Sequence, residues 1–129
     1  MQRNFGRRFP AAAVGGVWLY HGLWCKLLAR CPEQVDVVAA VPWLRGSRAK
    51  VVLLGIGLVE TALAAWVVSG RQPRVAAAGG TALVAGMNAA GLVFGRRHIP
   101  AAKIMLAENA AFIALAWLAA EQDARAREA

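Results

Sequence analysis

Acidic side chains are scarce in this 129-residue chain: seven Asp and Glu stand against fifteen Lys and Arg, a net charge of +8. Cysteine and histidine are scarcer still, at two each, and tyrosine occurs once. So thin a supply of ligands excludes a metal cluster of recognisable spacing, and His21 and His98 fall on separate predicted helices with no third partner. There is no glycine-rich phosphate loop, no set of residues that would make a nucleophile triad, and no repeat of 20 to 50 residues. The excess of positive charge does not mark a nucleic-acid partner either. The cations are scattered over the ends of apolar runs instead of gathering into one basic face.

The apolar runs dominate the chain. At 59% hydrophobic and a mean hydropathy of +0.47, it holds more apolar surface than a soluble domain this small can bury. Four runs stand out, residues 11–29, 51–69, 75–94 and 99–120. At 1.5 Å per residue each is about 28 to 33 Å long, enough to cross a bilayer once. The expectation is an all-α chain, residues 1–129 forming one membrane domain of four transmembrane helices. Short connections of about five residues after the second and third runs favour antiparallel neighbours, hence an up-down bundle. Residues 33–44 are too few and too polar to span, and their apolar side, with Trp43 as anchor, predicts a helix lying along the interface. Small residues supply the close approaches that helices need in lipid: Gly15 and Gly22, on one stripe of the first run with Leu19 and Lys26, then Gly57, Thr61 and Ala64 on the second, and Ala78, Ala82, Ala85 and Gly86 on the third. The alternating charges of residues 121–129 read as a solvated helix end.

Orientation rests on a near tie. Arg3, Arg7, Arg8, Arg71, Arg74, Arg125 and Arg127 share the side of the termini, and Lys26, Arg30, Arg45, Arg48, Lys50, Arg96, Arg97 and Lys103 lie on the other. The compact basic N-terminus tips the reading to cytoplasmic termini. The first run is read as a retained span and not a cleaved signal, because Pro10, Tyr20, His21 and Lys26 do not suit one.

Each run carries polar or ionisable groups near its middle: Tyr20 and His21, then Glu60, then Asn88, then Glu108 and Asn109, with Lys26 six residues beyond the first run's midpoint. A charge at the centre of a helix in lipid costs at least about 2.5 kcal/mol. Allowing for alternating direction, Lys26, Asn88, Lys103 and Glu108 all lean toward the face of the two polar loops, which predicts a mid-bilayer cavity open to that face. Glu60 is the candidate catalytic group: a carboxyl at that depth is either neutral or paired with a cation, and either state suits proton handling or hydrogen bonding to a quinone. His21, Lys26, Asn88, Glu108 and Asn109 are the candidate ligand-binding residues. Each also has a plainer reading, His21 as a packing residue, Asn88 and Asn109 as helix-to-helix hydrogen bonds, Lys26 as a snorkelling or Glu60-paired cation. Cys25 and Cys31 are read as buried free thiols; a bridge is geometrically possible, but six-residue spacing is not that of a redox dithiol motif.

The stretch from Val17 to Leu28 (VWLYHGLWCKLL), with Pro32 and Gln34, resembles the opening of the DoxX-like family of small bacterial membrane proteins. Gly55 to Glu60 (GIGLVE) is similar to the family's second helix, and Asn88 to Leu92, Ile99-Pro100, Met105-Leu106 and Asn109 to its closing half. The resemblance implies a four-helix protein of the bacterial cytoplasmic membrane linked to redox physiology, with Lys26, Glu60, Asn88 and Asn109 at family-like positions. It implies either a redox-associated subunit binding a quinone or small acid, or an anchor for a soluble oxidoreductase partner, with a homo-oligomer as a further possible assembly. The cysteines are no part of that pattern.

Overall fold

A computed structural model describes residues 8–129. Arg3 and Arg7, on which the orientation reading leans, lie outside the described residues. Helix α1 (Phe9–Leu19) opens with Pro10 in its first turn, where a missing N–H costs nothing. At Tyr20 the same run changes from α to π geometry and continues as a π-helical segment to Leu27. After it come a short α2 (Glu33–Ala39), α3 (Ser47–Ser69), α4 (Pro73–Phe94), a 3₁₀ turn (Arg96–His98) and α5 (Ala102–Glu128). Among the described residues there is no strand, so the chain is all-α as expected.

Three helices, α3, α4 and α5, are long and apolar enough to cross a membrane. The first run is a composite of α1 and the π segment, so it is not among them. The reason is local. Neither α1, of 11 residues, nor the π segment, of 8, is long enough by itself. Chain reversals sit where the backbone can leave the helical region. Gly70, in the left-handed region at φ 67°, ends α3, and Pro73 opens α4.

The helices form a ring in which α1 packs on α3 and α5, α5 packs on α4, and α3 on α4. The π segment packs on α3. At the end holding Arg8, the Gly70 turn and the C-terminus, hereafter the terminal end, the core is apolar: Val14, Trp18, Leu63, Val84 and Ala119 are buried together. Trp18 meets Phe112 edge to face at 5.2 Å and lies over Gly80, where a Cβ would sit 3.0 Å from its ring. Outward, large apolar side chains stay exposed, Val93 at 73% and Val51 at 67% among them, as a lipid-facing surface requires.

Three expectations need correction. Ala78, Ala82, Ala85 and Gly86 point away from the bundle; α4 turns Ala76, Ala77, Gly80, Val84 and Gly91 inward instead, because the Trp18 ring needs the Gly80 gap. Leu19 is exposed, its inward place taken by Trp18. The C-terminal residues are not a merely solvated end: Ala124 is buried, Arg8 pairs with Asp123 at 3.6 Å, and Arg74 reaches Glu121 at 2.8 Å and Glu128 at 3.4 Å. The segment after Cys31 does form a short helix, whose Val37 packs against Gly91 and Gly95 of α4. Trp43 is exposed beside the Phe94 ring at 5.6 Å.

Candidate functional site

The site begins with two glycines. A Cβ on Gly22 would lie 2.8 Å from the Gly57 carbonyl oxygen and from the backbone nitrogen of Thr61, and one on Gly57 would lie 2.8 Å from the Cβ of Lys26. Only hydrogen fits at either place, so the π segment and α3 approach backbone to backbone, the arrangement lipid-embedded helices use in place of a hydrophobic drive. Thr61 donates its hydroxyl to the Gly57 carbonyl at 2.7 Å.

That approach brings Lys26 onto Glu60. Lys26 Nζ stands 2.8 Å from Glu60 Oε2, and the two side chains are 6% and 1% exposed. The ammonium also donates to the backbone carbonyl of His21 at 3.3 Å. At 2.8 Å the ammonium is in direct contact with this carboxylate oxygen. A buried ion pair in these surroundings is held by its own Coulomb attraction, which must offset the desolvation of both partners. Lys26 is therefore the paired cation of the two readings the sequence allowed.

A second polar contact joins α4 and α5, where Asn109 Nδ2 donates to Asn88 Oδ1 at 2.9 Å. This is the helix-to-helix hydrogen bond expected of two amides in lipid. His21 and Glu108 join neither contact. Both are exposed on the outside of the bundle, His21 edge to face with Tyr20 at 5.3 Å. The six residues are thus not gathered at one place: the polar layer is two separate interhelical contacts, and the side chains of His21 and Glu108 face outward. A narrow crevice lies instead at the terminal end, lined by Val14, Trp18, Gly80, Thr81, Phe112 and Asp123, and it includes none of the six. The sequence placed each group along its run but could not say which way its helix was turned.

The cysteines also need correction. Cys25 and Cys31 form a disulfide, with Cα atoms 4.6 Å apart, where free thiols were expected. The return of the chain is tight: Ala29 takes the left-handed conformation at φ 53°, and the N–H groups of Arg30 and Cys31 reach back six residues to the carbonyls of Trp24 and Cys25. Arg30 lies over the Trp24 ring at 5.4 Å. What spacing alone could not reveal is that the helix stops at Leu27, which lets residues six apart meet. Among the described residues no group of three or more His, Cys, Asp or Glu could hold a metal.

The apolar helices mark a membrane protein. No curated protein and no solved structure matches the chain. A model of the DoxX-like family matches residues 15–117, a stretch that includes both halves of the Lys26–Glu60 pair and of the Asn88–Asn109 contact, and the chain belongs to that family.

Proposed function

We propose that this chain is a redox-associated subunit of the bacterial cytoplasmic membrane in which Glu60, beside Lys26, takes or relays a proton for a quinone or small acid. One observation carries the reading: a carboxylate 1% exposed and an ammonium 6% exposed are paired at 2.8 Å inside a contact between apolar helices. Intramembrane ionisable residues are retained at a cost, and such pairs occur where protons or ligands pass. The composite first run, 19 residues from Phe9 to Leu27, acts in this reading as a fourth span, completing an up-down bundle. The disulfide supports cytoplasmic termini, since it lies on the side of the polar loops and disulfides persist in oxidising compartments.

The second reading, a non-catalytic anchor for a soluble oxidoreductase partner, is favoured by the enclosure of the pair, which no cavity described above reaches. Glu60→Gln separates the two. It keeps size and polarity and removes the charge, so titration of the variant with a quinone analogue should show weakened binding. Unchanged binding, or no binding by the parent protein, favours the anchor.

A further inference from the structure

The Cys25–Cys31 bridge closes on the residues that aim Lys26. An α-helix continuing through Cys31 would separate these cysteines by about 9 Å along its axis, whereas a disulfide spans at most about 6.8 Å between Cα atoms. The observed 4.6 Å therefore excludes a helix that runs on. Within the closed loop the chain has left α geometry altogether. Tyr20–Leu27 is π-helical, Leu28 N–H reaches the Leu23 carbonyl at 2.8 Å, five residues back, and Ala29 is left-handed. π-helical turns are rare and cluster at functional sites.

Register decides where Lys26 points. A π coil takes more residues per turn than the 3.6 of an α-helix, so between Tyr20 and Lys26 it falls behind by roughly a quarter turn. In π register Lys26 meets Glu60; in α register the same side chain would swing off the α3 contact. We propose that the disulfide is a redox switch on the buried ion pair: oxidised, it holds the π register and the Lys26–Glu60 contact, and reduced, it lets the segment rewind and separates them. The proposal rests on the reading of that pair as the working centre and adds its regulation.

The electron donor is a dithiol acting on the polar-loop face. Cys31 is partly exposed whereas Cys25 is 2% exposed, so a partner thiolate attacks Cys31 Sγ. The Sγ–Sγ bond breaks, Cys25 leaves as a thiolate and takes a proton, and the partner's second thiol displaces Cys31, which is protonated in turn. Two electrons and two protons pass to the chain, and the partner departs as a disulfide.

The test uses the full chain in lipid nanodiscs, oxidised and after treatment with dithiothreitol, with alkylation reporting the thiols. Infrared spectra of protein made with isotope-labelled glutamate, taken as the difference from Glu60→Gln, isolate the Glu60 carboxyl. On reduction its band should shift, and the Lys26/Glu60 coupling in a double-mutant cycle should be lost. A Cys25→Ser/Cys31→Ser variant should show the reduced behaviour without any reagent. An unmoved band with both cysteines alkylated overturns the switch, as do cysteines that alkylate fully before reduction. A shifted band in a protein that binds no quinone analogue keeps the switch and removes only the ligand reading.

Discussion

The terminal end and the polar-loop end of this bundle are built on different physics. At the terminal end α1 is regular, Trp18 and Phe112 interlock over Gly80, and the rim is joined by Arg8–Asp123 and Arg74–Glu121. At the other end the same run is π-helical, two glycines let backbones touch, and a charge pair is sealed inside. Its rim differs too. Among the described residues Arg45, Arg48, Lys50, Arg96, Arg97 and Lys103 have no ion-pair partner, whereas Arg8 and Arg74 of the terminal end are paired within the chain. The apolar end can be held by packing alone; the polar end must hold charges together, and irregular backbone is how it does so.

The comparison breaks most sharply at Glu60. Glu60→Ala strands the buried ammonium of Lys26 and should lower stability in detergent by about 3 to 5 kcal/mol, whereas Glu60→Ala with Lys26→Met should recover a large part of that loss. Equal denaturation midpoints for the single and double variants would mean that the two groups are uncoupled. Gly22→Ala comes next. Its methyl meets backbone 2.8 Å away that cannot move without parting two helices, and overpacking of this kind costs about 1 to 3 kcal/mol. The same change at Gly86, which faces open space, should be silent, and the paired denaturation curves check both.

Asn109→Ala removes one interhelical hydrogen bond, worth about 0.6 kcal/mol in a membrane. The loss should vanish in an Asn88→Ala background, as the same unfolding assay would report. The smallest effect belongs to the terminal rim. Glu121→Gln breaks an exposed pair with Arg74, and any fall in melting temperature should disappear at high salt, since screening has already weakened the contact. A salt-independent loss there would show that the contact acts through hydrogen bonding or packing and not through charge.

The amino-acid sequence by itself determined the all-α class, the positions of the apolar runs, the place of every polar group along its run and the small residues at Gly22 and Gly57, because run length and composition are properties of the chain alone. It also singled out Glu60, whose placement in an apolar run is costly wherever it faces. Only the tertiary structure decided which way each helix is turned. That rotation pairs Lys26 with Glu60 and Asn88 with Asn109, leaves His21 and Glu108 outside, and turns the Ala78–Gly86 surface away from the core. Facing is hard to read here because these helices are apolar on nearly every side, so the periodicity that betrays a buried face in water is weak in lipid. The switch to π geometry at Tyr20 compounds the difficulty, since it changes the angle between successive side chains and so moves Lys26 and the cysteines to places that α-helical counting does not reach.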